Sequence, residues 1–208
     1  MVTKYLLRGR LALLAFSFLA FGCSSVALHP QGDTAAASST ADSRARLRIA
    51  LVSLDRSVSA KEAARLSECA HRVTIELAQT YGTVGSPHFQ NFLVNIGYKK
   101  RGLCFQWTED LLRELQKLHL QTLQLHWGDA RAGTLREHNS VVVTARGQPF
   151  ADGIVLDGWR HSGRLFWSAV RADDYPWKEE ATGYIRRLAP VVAADRRKSG
   201  VAKAKKSK

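Results

Sequence analysis

The chain has little cysteine. Three in 208 residues are too few to staple a fold together, which excludes a disulfide scaffold. It has no internal repeat. The apolar run from Leu11 to Phe21 has only eleven residues, whereas a helix needs about 20 to cross a bilayer. Acids are missing from both ends. The first ten residues hold Lys4, Arg8 and Arg10 and no acid, and the last thirteen, from Arg196 to Lys208, hold seven Lys or Arg and no acid. The net charge of +13 is of the kind that points to nucleic acid. Without those ten bases the body of the chain is close to +3, so specific nucleic-acid binding is not expected. What remains is ordinary: 45% hydrophobic and 24% charged residues, a globular composition that excludes wholesale disorder, collagen and a coiled coil. At roughly 100–200 residues per domain, the length allows one domain with tails.

The N-terminus reads as an address. A basic start and a short apolar stretch make a secretory signal peptide. Leu19-Ala20-Phe21-Gly22-Cys23 resembles a bacterial lipobox. That resemblance implies a signal peptide over residues 1–22, an acylated Cys23 as the lipid attachment point, and a membrane-anchored lipoprotein facing the periplasm or cell surface. Ser24 is similar to an outer-membrane address. The alternative is cleavage after Ser25-Val26-Ala27, which releases a soluble protein. In either case the mature chain folds in an oxidising compartment, where Cys69 and Cys104 are able to pair.

Residues 23–46, rich in Ala, Ser, Thr and Asp, read as a flexible linker. A domain follows over 47–192, and 193–208 is a basic disordered tail. Ser59-Ala60-Lys61-Glu62 is a capping box. Leu66, Ala70, Val73 and Leu77 then recur at helical spacing, and the helix stops near Tyr81-Gly82. Lys99-Lys100-Arg101-Gly102 reads as an exposed turn. A second helix runs from Cys104 to about Leu120. Strands are expected over 121–127, 139–145, 153–157 and 165–170, with 128–133 a loop and 160–164 an exposed hairpin turn. Thr182 to Val192 is a last short helix or an extended arm.

Cys104, His138 and Asp157 carry the chemistry. Cys104 opens a helix, His138 opens a strand, and Asp157 closes the next strand. The nucleophile in thiol catalysis is the thiolate, and helix N-termini favour that form. An imidazole completes the ion pair and later protonates the leaving group. A carboxylate on the far ring nitrogen fixes the tautomer. Blander readings stay open: a Cys69–Cys104 disulfide or an inert buried thiol, a strand-end histidine bonded to backbone, and an aspartate that forms a turn before Gly158. The spacing of His119, His126 and Asp129 matches no known zinc site. Trp159, Trp167, Tyr175 and Trp177 either line a groove for sugar or peptide or pack as core and rim.

Gly102-Leu103-Cys104-Phe105-Gln106-Trp107, with Val155-Leu156-Asp157-Gly158-Trp159, resembles the transglutaminase-like branch of papain-like cysteine enzymes, over about a quarter of the chain. The resemblance implies an α+β fold, with an antiparallel sheet packed against a helical part that carries the nucleophile. It implies acyl transfer from a peptide or amide substrate through a thioester, to water or to an amine, with no metal or organic cofactor. The backbone N–H of Cys104 then supplies half of an oxyanion hole, with Asn95 or Tyr98 as the other half. The expected activity is therefore that of an envelope cysteine hydrolase or acyltransferase. The alternatives are a non-catalytic lipoprotein using the same fold for binding or scaffolding, and an adaptor that works through its basic tail.

Overall fold

The computed structural model describes residues 31–180, with side chains from residue 39 onward. The signal peptide, Cys23, the segment 182–192 and the basic tail lie outside the described residues.

The first helix, α1 (Gln31–Val52), corrects the linker reading, because the chain is already helical from residue 31. Alanine is the strongest helix former, and the Ala-rich stretch runs directly into Leu47 and Leu51. Those two are four apart on one face and wholly buried. Short helices owe most of their stability to such packing. Arg44 adds a 2.8 Å ion pair to Glu68 on the next helix.

That helix, α2 (Ala60–Tyr81), is capped by Ser59, whose side chain accepts from the Glu62 amide. The Glu62 carboxylate departs from the capping box. It accepts instead from the Gln121 and Thr122 amides and the Thr122 hydroxyl, at 2.7–2.9 Å, and so ties the start of α2 to the start of the sheet. Helix α3 (Pro87–Asn95) has Ser86 as its cap and proline in its first turn, an arrangement suited to a helix start. Helix α4 (Cys104–Gln116) buries Leu111, Leu112 and Leu115. It ends before Leu120, in a turn where His119 takes a left-handed φ of 49°.

The five strands are β1 (Leu123–Ala130), β2 (His138–Ala145), β3 (Ile154–Asp157), β4 (Phe166–Ala169) and β5 (Lys178–Glu179). They form one sheet in the order β4-β3-β2-β1-β5, with every neighbouring pair antiparallel. The fold is α+β. β1 continues through Gly128 and Asp129, which were read as loop. Gly128 pairs with Ser140 on one side and Glu179 on the other. A Cβ there would stand 3.3 Å from Trp177 and 3.1 Å from Val142. Glycine at this point therefore lets an indole lie on the sheet.

Alternation along the strands divides the core. Val141, Val143, Ala145, Ile154 and Leu156 pack with α1, α2 and α4. Val142, Val155 and Ala130 face the other way, toward Val170 and Trp177. All eight residues of β2 are buried. Among the described residues no helix is long and apolar enough to cross a membrane.

Candidate active site

Register brings the first two residues together. Val141 lies opposite Leu156, so His138 and Asp157 are diagonal neighbours on one face, a separation that long side chains can bridge. His138 Nε2 donates to Asp157 Oδ2 at 2.7 Å, and the two side chains are 2% and 1% exposed.

A carboxylate this deep needs its lone pairs satisfied. Asp157 also accepts from the Trp159 and Arg160 amides, both at 3.0 Å, and from Arg160 Nε at 3.1 Å. Burial alone would raise its pKa. The His138 hydrogen bond and charge, together with Arg160, override that and hold the pKa below the usual carboxylate range. For His138, burial would lower the proton affinity. The hydrogen bond to Asp157, the interaction with the adjacent Cys104 thiol and the charges of both raise it instead to about 9.

The imidazole is caged by aromatic rings. Tyr175, Trp159 and Trp177 have centroids 4.7, 4.8 and 5.4 Å from it. Its second nitrogen, Nδ1, is buried without a hydrogen-bond partner. Trp167, read with the same aromatic cluster, lies elsewhere and donates to Ser43 on α1.

Cys104 comes to this place from the helix-covered side. Its sulfur lies 3.8 Å from the Glu137 carbonyl oxygen and 4.0 Å from Asn139 Oδ1, the residues that flank His138. The histidine is the first residue of β2 and stands beyond the end of β3. The two faces of the sheet therefore meet here with no further strand between them. Cys104 also packs against the cluster of Tyr81, Trp107 and Trp159, so Trp159 borders both the thiol and the imidazole. Cys104 is partly exposed, and Cys69 and Cys104 are both free thiols.

The segment before Cys104 is fixed by several bonds. Gln106 Oε1 accepts from the Gly102 and Leu103 amides at 2.7 and 3.0 Å. The Trp107 indole donates to the Gly102 carbonyl. Gln90 is 2% exposed and donates to the Arg101 and Tyr81 carbonyls. The stretch read as an exposed turn is therefore held at both ends, since Lys99 donates to the Gly82 carbonyl and Arg101 pairs with Asp110 at 2.9 Å.

Asn95 and Tyr98 are not brought to the sulfur. Both are exposed, Tyr98 at 74%, because they follow the solvent side of α3. The side-chain amide in contact with the thiol is that of Asn139. Sequence reasoning also missed Arg160, read as part of an exposed turn. Its side chain is 17% exposed and binds Asp157 and, through two 2.9 Å bonds, Asp173. The Trp177 indole donates to that same Asp173. Arg160 thus fastens the Tyr175–Trp177 segment over His138. His126, a residue of the dismissed zinc grouping, bonds Glu179 and Thr144. Among the described residues no three His, Cys, Asp or Glu gather as a metal site would require.

No family model, curated protein or solved structure matches the chain.

Proposed function

We propose that the chain is an exported, lipid-anchored cysteine enzyme of transglutaminase-like type that cleaves or transfers amide-linked acyl groups. Cys104 is the nucleophile, His138 the acid and base, and Asp157 the orienting carboxylate. The Cys104 sulfur adds to the substrate carbonyl and forms a C–S bond. The imidazolium Nδ1–H protonates the departing amine as the C–N bond breaks, which leaves a thioester. Neutral His138 then takes a proton from water as the water oxygen attacks the thioester and the C–S bond breaks, releasing the acid and restoring the thiolate–imidazolium pair. Water is the default acceptor, so hydrolysis is favoured over transfer to an amine. Cys104 N–H stands at the free N-terminal turn of α4, where an oxyanion donor is needed.

The observation that carries this reading is the division of labour at His138. Nε2 is committed to a buried carboxylate, Nδ1 has no other hydrogen-bond partner, and His138 interacts with Cys104, the only partly exposed thiol among the described residues. A membrane-proximal setting also accounts for the exposed apolar face of α3. Phe89, Phe92 and Ile96 are 48–59% exposed, and the segment from Thr83 to Leu103 contains Lys99, Lys100 and Arg101 but no acid. Basic and apolar residues together suit an anionic lipid surface.

The test is iodoacetamide labelling of the full chain at pH 7, followed by mass spectrometry. Cys104 is expected to react at least about tenfold faster than Cys69, and His138→Ala to slow it by about tenfold or more. Equal rates in the wild type and the variant would overturn the catalytic reading and leave a binding module. Separately, Cys23→Ala should move the chain from the membrane fraction to the soluble one.

A further inference from the structure

A second concave feature lies away from Cys104. A cavity of about 1000 Å³ lies between α1, α2 and the segment from His161 to Trp167. That is the upper end of the range for small-molecule sites, roughly 300–1,000 Å³. Its walls have three properties in combination. One is apolar, formed by Ile75, Ala78, Leu165, Phe166 and Trp167, and Ile75 is 45% exposed. Arg46 and Arg164 line it, both exposed and with no acid among the lining residues to balance them. The third wall is a fixed polar network. His71, 4% exposed, donates from Nδ1 to the Ser67 carbonyl at 2.8 Å and accepts at Nε2 from the Ser43 hydroxyl at 3.0 Å. Ser43 in turn accepts from the Trp167 indole at 3.0 Å. This chain of bonds joins α1, α2 and β4 across the back of the cavity.

We propose that this cavity binds an amphiphilic anion: a single carboxylate or phosphate held by Arg46 and Arg164, on an alkyl or aryl body lying against Ile75, Phe166 and Trp167. An apolar body alone would fill the wall and leave the two guanidiniums unmatched. A small anion alone would leave the apolar wall wet. Water screens two solvent-accessible cations, so discrimination of about tenfold is the expected scale.

Calorimetric titration of the full chain tests this, with 4-phenylbutanoate, 4-phenylbutyl phosphate and the neutral 4-phenylbutanol as probes. Both anions are expected to bind about tenfold tighter than the alcohol. Arg46→Gln with Arg164→Gln should erase that difference while leaving the alcohol affinity and the unfolding temperature unchanged. If only one anion is preferred, the head-group class narrows to that one. Anions that bind no tighter than the alcohol, discrimination that survives the double variant, or no binding of any probe up to 10 mM would each overturn the proposal. Cys104→Ala serves as an independent control: the cavity should bind identically whether or not the thiol is catalytic.

Discussion

His126 and His138 stand on neighbouring strands, both more than nine-tenths buried and both bonded to a carboxylate, yet they use their second nitrogen differently. His126 donates from Nδ1 to Glu179 at 2.6 Å and accepts at Nε2 from the Thr144 hydroxyl at 2.9 Å, so both nitrogens are satisfied. His71 follows the same pattern with Ser67 and Ser43. His138 satisfies only Nε2. The carboxylates differ as well. Glu179 is 47% exposed, while Asp157 is 1% exposed and receives hydrogen bonds from His138, two backbone amides and Arg160. Burial with a carboxylate partner is therefore a common way to hold a histidine in a sheet. The distinguishing feature is a second nitrogen with no partner other than a neighbouring thiol, a costly arrangement that among the described buried histidines occurs only at the start of β2.

The largest effect should come from breaking the deeper pair. Asp157→Asn removes the charge that balances both the imidazole and Arg160, and the loss of one partner from a buried ion pair costs about 3–5 kcal/mol. Urea unfolding should register it, and a loss below about 1 kcal/mol would show that the carboxylate is not the anchor. The same pair sets a pH dependence. Folding raises the His138 pKa from 6.5 to about 9, so its contribution to stability is complete below about pH 6.5 and is lost as pH rises through about 9. Asp157 moves the other way. Its pKa is held below the ordinary carboxylate value, so its contribution is present above about pH 4 and is lost toward acid. His138→Gln should flatten the alkaline limb of a stability-against-pH curve, and an unchanged limb would place the titration elsewhere.

A smaller effect is expected in the segment leading to Cys104. Gly102 has a φ of 138°, and a Cβ there would stand 2.7 Å from Gln90 Cγ and 2.8 Å from its Nε2. Gly102→Ala should cost about 1–3 kcal/mol through backbone strain and the displaced Gln90. It should also slow Cys104 alkylation, because the helix start moves with the loop. Normal reactivity in a folded Gly102→Ala protein would mean that the thiol's setting does not depend on this segment.

Some of this was legible in the sequence. The helix from Ala60 to Tyr81 announced itself through its cap and its apolar stripe, and β2 and β3 through β-branched runs. The thiol, the imidazole and the carboxylate could be nominated from the elements they open or close. Other parts depended on tertiary contacts. The Ala, Ser and Thr content of α1 reads equally as linker, and the deciding contacts, at Leu47 and Leu51, come only at its far end. α3 is too short for its period to show. Gly128 reads as a breaker until Trp177 lies over it. Arg160, Asp173 and Tyr175 are joined by a loop closure that no local pattern encodes, and Asn139 reaches the thiol only because α4 docks on that end of β2.

The smallest expected effect sharpens the comparison most. Glu179→Gln keeps the shape and the hydrogen-bonding capacity of the His126 partner and removes only the charge. Glu179 is half-exposed on β5, a strand of two residues at the sheet edge, so water already screens its attraction for the imidazole. Pairs of that kind contribute roughly 0–1 kcal/mol. The variant should therefore unfold within about 1 kcal/mol of the wild type and leave the Cys104 labelling rate unchanged. A loss as large as that of Asp157→Asn would put the two histidines in one class after all. Burial, and not the state of the second nitrogen, would then be what governs their behaviour.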